Sequence, residues 1–440
     1  MDTSRNLRRA VFAALACGAI AGCTLATLSP SAAPPATTVA TAEAPSASPS
    51  ATVPPTSSPS TAPKTAMPSG SPSSAKYPDV PVPADKLHEI PLPAGMDLEN
   101  AFDPEYPGIA ADGDWLVTQF PFKDLPPGRD HQLYAIDIVT GASRRLADHQ
   151  ADGSVANGRA AWVDPICKYY VPGKWSGVLP DQTPVCTSWK LHLMDLATGA
   201  DQVVASGAIS ESVSDALLSY GDQERVIPTA ALSSGTLAYT TGDLKNGFTL
   251  HLLSISSGTE RTVGLGGMIQ EMHWAGSDLV WIEDTGLHHD KGGPQSGALS
   301  WYYTGTRLML LPAGAGEASA IGSRATSLVA DSTGIVWGQY LEFFRASGPD
   351  WTSVSWGVLP SLAVTVSNGW AAWFDSTFNS TTDDPRVWVA TYLVMRPQDS
   401  VPHVVRHGCD MSGGWIFLAS RDPETNRPTG LEAVRIADLG

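Results

Sequence analysis

Residues 132–147 read QLYAIDIVTGASRRLA, and residues 190–205 read KLHLMDLATGADQVVA. Each copy is an alternating apolar run, an Asp, a Thr-Gly turn and a second strand-like run. Alternation with a period of two is typical of a strand with one buried face. The repeat therefore predicts β-hairpins. Side chains that cap backbone N–H groups, and glycines with positive φ, are expected at Asp137, Asp195, Gly141, Gly199 and Gly258.

A second motif precedes each hairpin: a turn, then a strand that ends in a large residue. The strand ends fall at positions 117, 162, 239, 281, 337, 373 and 417. The usual interval is about 40–50 residues, which is the period of a β-propeller or a related array. The large inner-strand residues, mostly Trp, are predicted to wedge between blades. Later copies of the hairpin are looser, and we place them at 351–364 and 387–405.

The two ends of the array complement each other. The seventh unit, LEAVRIADLG at 431–440, stops where its turn is expected to begin, while KLHEIPLPAG at 86–95 is a strand-like segment ahead of the first unit. A propeller closes its ring when an N-terminal strand completes the last blade, which removes exposed sheet edges. The sequence thus predicts an all-β propeller of seven four-stranded blades, closed by Leu87–Leu92. Six or eight blades stay open as alternatives, because the second interval is long.

The pattern L-x-x-x-D-L-x-T-G resembles the TolB-like (WD40-like) propeller repeats. Such repeats occur in periplasmic proteins and before the catalytic domain of prolyl-oligopeptidase-type peptidases. LYAIDIVTG also resembles the blades of pyrroloquinoline-quinone-type propellers, from which an outer-membrane assembly lipoprotein is built. Both resemblances imply a propeller, but each departs from its pattern. The S-P-D-G turn of the first family is replaced, and the Trp of the second is missing, so the subfamily stays open.

The N-terminal part predicts export and anchoring. Residues 1–22 combine Arg5, Arg8 and Arg9 with an Ala-rich run, as in a secretory signal, and the run is shorter than the ~20 residues that span a bilayer. Ile20-Ala21-Gly22-Cys23 resembles the bacterial lipobox, which implies cleavage before Cys23 and lipidation of its thiol. The alternative is an ordinary exported Cys.

The next segment, 23–76, is rich in Ala, Pro, Ser and Thr. Its low apolar content predicts a disordered tether, which leaves a propeller domain at 77–440. The expected location is the extracytoplasmic face of the membrane in a bacterial cell envelope.

The net charge restricts the class of partner, and the cysteine positions indicate one cross-link. The formal net charge is −17, which argues against a nucleic-acid surface, since phosphates demand clustered Lys and Arg. Cys167 and Cys186 are predicted to form a disulfide, because an exported chain meets an oxidising compartment. The alternative metal pair lacks further ligands at suitable spacing. Cys409 is predicted to be a buried, inert thiol.

Few residues suggest chemistry. The sequence lacks nucleophile-elbow, H-E-x-x-H, P-loop and C-x-x-C motifs in the domain, so no catalytic residue and no cofactor is predicted. A weak metal site is Glu283, Asp284, His288, His289 and Asp290, with a solvated inter-strand loop as the alternative. A weaker Ca²⁺ candidate is Asp383 with Asp384. Candidate ligand contacts are Tyr169, Tyr170 and Trp175, with coverage of a blade edge as the alternative role.

The sequence favours a monomeric binding or scaffold module for a protein, peptide or glycan. The alternatives are a lactonase-type or glycan-cleaving propeller with a metal in its channel, and a structural spacer of the envelope. Functional residues are expected where the copies disagree, above all in the insertions at 163–189 and 284–305.

Overall fold

A computed structural model gives the structure of the domain. It describes residues 77–98, 108–123, 125, 131–149, 151–169, 184–209, 227–243, 246–284, 306–339, 342–348, 350–358, 364–375, 391–399, 401–422, 425 and 427–439. Short 3₁₀ turns lie at Ala84–Lys86 and Ile436–Asp438. No helix within these ranges is long and apolar enough to cross a membrane.

The described strands are numbered β1–β28 in chain order and group into seven sheets. Blade 1 consists of β2 (Ala110–Asp112), β3 (Trp115–Pro121), β4 (His131–Asp137) and β5 (Ser143–Ala147). Blade 2 consists of β6 (Gly153–Ala156), β7 (Arg159–Tyr169), β8 (Pro184–Asp195) and β9 (Asp201–Ala208). Blade 3 consists of β10 (Ala230–Leu232), β11 (Thr236–Asp243), β12 (Gly247–Ser254) and β13 (Glu260–Gly264).

The remaining blades have the same order of strands. Blade 4 consists of β14 (Met268–Ala275), β15 (Asp278–Asp284), β16 (Thr306–Leu311) and β17 (Ser319–Ser323), and blade 5 of β18 (Ser327–Asp331), β19 (Gly334–Gln339), β20 (Glu342–Ala346) and β21 (Val354–Val358). Blade 6 consists of β22 (Val364–Ser367), β23 (Trp370–Asp375), β24 (Thr391–Met395) and β25 (His403–Val405). Blade 7 consists of β26 (Gly408–Ser412), β27 (Trp415–Arg421), β28 (Pro428–Arg435) and β1 (His88–Ile90).

Each sheet is antiparallel and has four strands. The first strand of every blade contacts the first strands of both neighbouring blades, in the order β2, β6, β10, β14, β18, β22, β26 and back to β2. The seven first strands therefore close a ring, and the seven-bladed propeller predicted from the sequence is confirmed.

The closing strand is also where the sequence predicts it. β1 pairs with β28, with His88 opposite Ala433 and Ile90 opposite Leu431, and completes blade 7. It is shorter than the predicted Leu87–Leu92. The difference has a physical reason, since Pro91 and Pro93 have no N–H to donate to a ladder.

A second N-terminal contact lies one blade earlier. The Val80 N–H donates to the Val404 carbonyl at 2.8 Å, and the Val404 N–H donates to the Pro78 carbonyl at 2.9 Å. Arg406 forms an ion pair of 2.7 Å with Asp79. Residues 77–80 thus lie parallel to β25, on the outer edge of blade 6.

The core consists of apolar layers between neighbouring blades. Trp162 of blade 2 packs with Val117 and Leu133 of blade 1, and Trp415 of blade 7 packs with Leu116 of blade 1. These Trp residues lie on the second strands rather than on the innermost strands, and their interpretation as wedges between blades is confirmed. Each layer needs both blades, so stability depends on the closed ring.

The turn chemistry agrees with the repeat. Oδ1 of Asp137 accepts from the Thr140 N–H and Oδ1 of Asp195 from the Thr198 N–H, each at 2.9 Å. The glycines of these turns have φ of 73° at Gly141 and 76° at Gly199, and Gly258 in blade 3 has 67°. These residues have structural roles.

One predicted hairpin is wrong. Residues 351–364 are not a third strand, a turn and a fourth strand. In blade 5 the third strand is β20 and the fourth is β21, while Val364 already begins blade 6. The sequence of β20 is EFFRA; it follows a connection of only two residues, 340–341, and lacks the Asp and Thr-Gly of the other copies. The repeat pattern therefore does not predict it as a third strand.

Candidate functional site

The two faces of the ring differ in their connections. On one face, first strands join second strands and third strands join fourth strands through two to seven residues. We call this the short-turn face. On the opposite face, second strands join third strands and blades join each other; we call this the long-connection face. Its longest connections are residues 91–109, 122–130, 170–183, 209–229, 285–305 and 376–390.

Among the described strands, those of blade 2 extend farthest at the long-connection face. The first strand of this blade begins at Gly153, which pairs with Trp162, but β7 continues to Tyr169 and still pairs with β8 there. At the usual strand rise the seven residues 163–169 extend about 23 Å beyond the first strand. We call the paired segments of β7 and β8 beyond Trp162, residues 163–169 and 184–191, the hairpin.

A disulfide joins the two strands of the hairpin. Cys167 and Cys186 are opposite each other in the register and are bonded, as their spacing predicts. Cys186 packs with Trp189 and with Leu232 of blade 3. That side of the hairpin is therefore covered by apolar neighbours, and a cross-link of this kind restricts its alternative conformations.

The other side of the hairpin is open and polar. Ile166 is 42% exposed. Lys190 is exposed, and the half-buried Asp164 lies opposite it in the register. An exposed apolar side chain among polar groups on a cross-linked, two-stranded element is suited to contact with another molecule.

Two blades carry the same side-chain ladder of aromatic ring, imidazole and acid. Trp162 stacks on His192 with ring centroids 4.7 Å apart, and His192 Nδ1 lies 2.9 Å from Asp201. In blade 3, Tyr239 stacks on His251 at 4.6 Å. His251 Nδ1 is 2.7 Å from Glu260, which also accepts from the Tyr239 hydroxyl at 2.9 Å.

Blade 2 alone places a second imidazole and further acids beside its ladder. His149, in the connection between blades 1 and 2, lies 2.9 Å from Asp164 and 3.2 Å from Asp148. Sequence reasoning missed these residues. The available signal was the L-H-L of residues 191–193 and 250–252, where His replaces the Tyr134 of blade 1.

The structure describes two residues of the predicted metal cluster, Glu283 and Asp284. Glu283 is 1% exposed; its carboxylate accepts from Arg307 at 3.0 Å and from the Trp281 indole N–H at 3.3 Å. Asp284 is also buried and accepts from Gln270 at 3.1 Å. Both acids end β15, so the interpretation of these two as part of a solvated loop is wrong. His288, His289 and Asp290 lie outside the described residues.

Other candidates also fall outside the described part of the chain: Cys23, Tyr170, Trp175, Asp383 and Asp384. Tyr169 is the last residue of β7. Among the residues that the structure describes, no group of three or more His, Cys, Asp or Glu side chains is arranged to hold a metal ion.

The first strands, which form the inner ring, carry a few titratable groups. Burial lowers the pKa of His273 in blade 4 to about 4, and burial raises the pKa of Asp410 in blade 7 to about 7. Asp410 accepts from the backbone N–H of Ile109 at 3.0 Å and joins blade 7 to blade 1. Its neighbour Cys409 is a free, buried thiol, and burial raises the pKa of that thiol well above its ordinary value.

Comparison with known proteins adds the following. No protein-family model matches the chain, and no curated protein matches it. Among solved structures, the chain is similar to TolB from Acinetobacter baumannii, with 11% identity over 67% of this chain and 66% of that one and a TM-score of 0.38. The match thus spans slightly less than two thirds of the TolB chain.

Two further solved structures are similar. The β-propeller domain of the Trilobed protease from Pyrococcus furiosus matches with 9% identity over 74% of this chain and 94% of that one, at a TM-score of 0.43. An oligogalacturonate lyase from Vibrio parahaemolyticus matches with 10% identity over 81% and 92%, at 0.42. The TolB-like propeller expected from the sequence is confirmed as to its propeller fold, which rests on the ring of sheets; no activity is carried over from these proteins.

Proposed function

We propose that the protein is a lipid-anchored, extracytoplasmic propeller that binds a protein, peptide or glycan partner at its long-connection face. The observation that supports this most is the asymmetry of the ring. The short-turn face repeats nearly the same connections blade after blade, whereas the long-connection face carries the departures from the repeat. A rigid scaffold that presents variable connections on one side is a common arrangement for recognition.

The hairpin is the described element that best fits contact with a partner. One side of it is packed on blade 3 through Trp189 and Cys186, so ordering it on binding costs little conformational entropy. The open side offers Ile166 between polar neighbours. The disulfide also agrees with an exported protein, since such bonds persist in oxidising compartments.

Anchoring is tested by the change Cys23→Ala. We expect the variant to appear in the soluble fraction rather than with membranes, because the lipid acceptor is gone and the remaining apolar run within residues 1–22 is shorter than the ~20 residues that span a bilayer. The measurement is the distribution of the protein between membrane pellet and supernatant. Cys409→Ala, at the free buried thiol, is the matched control and should stay in the pellet. Membrane association of the Cys23 variant equal to the unaltered protein would contradict the anchor.

Binding is tested with a photoreactive residue in place of Ile166. The exposed position on the open side of the hairpin is expected to give a discrete cross-linked adduct with the partner in intact cells. The cross-linking can be done with the anchored protein and with the released Cys23→Ala variant. Partner binding is therefore tested separately from membrane anchoring.

A further inference from the structure

Five side chains form an alternating row of acids and imidazoles where blade 1 meets the hairpin. In order they are Asp148, His149, Asp164, His192 and Asp201. His149 lies 3.2 Å from Asp148 and 2.9 Å from Asp164. His192 Nε2 lies 3.8 Å from Asp164, and its Nδ1 lies 2.9 Å from Asp201. We call this row the imidazole clamp.

The chemistry of imidazole makes the clamp sensitive to protonation. A neutral imidazole has one N–H, so it donates to one carboxylate and turns a lone pair toward the other. A protonated imidazole has two N–H groups and a positive charge that attracts both carboxylates. His149 lies between the carboxylates of Asp148 and Asp164, so both contacts are favourable only when its imidazole is protonated. Nε2 of His149 and Nε2 of His192 are both buried and face Asp164 at 2.9 Å and 3.8 Å, as ion-pair contacts without hydrogen-bond geometry.

Among the described residues, Asp152 and Lys190 also carry charge near the clamp. Asp152 lies in the same connection as His149, and the Gln119 amide of β3 donates to it at 3.2 Å and to the Ala151 carbonyl at 2.8 Å. Lys190 of β8 acts on Asp164 from the hairpin side. Trp162 covers the face of His192. Within the described part of the chain acids outnumber cations here, which favours the protonated form of His149.

The clamp lies where the hairpin loses its inner neighbour. Trp162 is the last residue of β7 with a partner on the first strand of blade 2, and Asp164 is two residues farther out. His149 belongs to the connection that follows blade 1. The contact between His149 and Asp164 therefore ties the base of the hairpin to blade 1.

We propose that the imidazole clamp fastens the hairpin to blade 1 when His149 is protonated and loosens it as the medium becomes neutral. Partner binding through the hairpin would follow the same dependence, and this consequence rests on the proposed function. The clamp itself is a property of the free protein.

The direction of the pKa changes agrees with this behaviour. Burial works to lower the pKa of His149, but the adjacent carboxylates of Asp164 and Asp148 outweigh it and leave that pKa above its ordinary 6.5. The contact with His149 lowers the pKa of Asp164 below its ordinary 3.8. A His whose pKa is raised in the folded state stabilises the fold below pH 6.5, and this stabilisation is lost as the pH rises through the raised pKa. An Asp whose pKa is lowered in the folded state stabilises the fold above pH 3.8. The clamp is thus strongest between these two values.

Amide hydrogen exchange of the full chain in detergent tests the clamp without a partner. The rates at pH 5.5 and pH 8, each corrected for intrinsic exchange, are compared for peptides of β7 and β8. We expect these peptides to be about tenfold better protected at pH 5.5, because each contact of a charged donor adds a modest free energy. His149→Gln, which donates one amide at any pH, is expected to abolish the difference.

The matched control is His251→Gln in blade 3. His251 stacks on an aromatic ring as His192 does, but it has a single acid, Glu260, and the Thr241 hydroxyl as its partners. This variant should keep the tenfold response of blade 2. Equal protection at both pH values in the unaltered protein, or a response that persists in His149→Gln, would overturn the clamp.

Asp148→Asn provides a second test if His149→Gln fails to fold. Asp148 has a half-exposed side chain, so the substitution should be tolerated. It removes one acid from His149, and the midpoint of the pH response is expected to move to lower pH. An unchanged midpoint would overturn the proposal.

Discussion

Deletion of residues 77–95 is expected to lower the unfolding temperature by about 10 °C or more, because it opens the ring. The segment contains β1, whose Ile90 is 2% exposed between blades 7 and 1. It also contains Val80, 4% exposed against blades 6 and 7. Without β1, blade 7 has three strands, and the outer edge of β28 is left unpaired.

The control for this deletion is the removal of 19 residues from the tether, 41–59. This shortens the chain equally but leaves every described contact in place, so the unfolding temperature should not change. The measurement is thermal unfolding followed by circular dichroism. A melting transition of the 77–95 deletion that equals that of the full chain would show that β1 does not hold the ring closed.

Replacement of Trp415 by Ala is expected to lower the free energy of unfolding by about 3–5 kcal/mol. The Trp415 side chain is fully buried, and its indole N–H donates to the Gly113 carbonyl of blade 1 at 2.7 Å. The Arg435 guanidinium lies 4.2 Å from the ring centroid, and His88 of the closing strand lies 5.4 Å away, edge to face. One side chain thus joins the last blade, the closing strand and the first blade.

Trp415→Phe separates the two contributions. It keeps an aromatic ring in the layer but leaves the Gly113 carbonyl without its donor, so the expected loss is about 1–3 kcal/mol. Denaturant unfolding at equilibrium measures both variants. If the Ala variant is as stable as the Phe variant, the packing between blades 7 and 1 contributes little, and the account of the closed ring is wrong at this point.

Much of the fold follows from local sequence. The copies at 132–147 and 190–205 carry strand alternation and turn chemistry together, so each predicts its own hairpin. Closure by an N-terminal strand follows from simple complementarity of the two ends. Prediction fails where the local signal is weak: EFFRA at 342–346 has no turn of the repeat type, so the repeat pattern predicts this hairpin at 351–364 instead.

The candidate site is less predictable, because it depends on contacts between separate blades. The pair Cys167–Cys186 follows from spacing and compartment. The burial of Glu283 could not be predicted, because the charged residues of WIEDTGLHHD are typical of a solvated loop. Only the structure shows that Arg307 and Trp281 donate hydrogen bonds to the Glu283 carboxylate. The contact of His149 with Asp164 arises only because the ring brings the end of blade 1 against the hairpin of blade 2.

Photo-cross-linking in intact cells tests most directly the claim that the long-connection face binds the partner. The photoreactive residue is placed at Ile166 on the hairpin, or at Val139 or Val401 in connections of the short-turn face. The three side chains are similarly exposed, at 42%, 51% and 50%, so reactivity alone does not separate them. We predict a discrete adduct at Ile166 and none at Val139 or Val401. An adduct at the two valines with none at Ile166 would contradict the account.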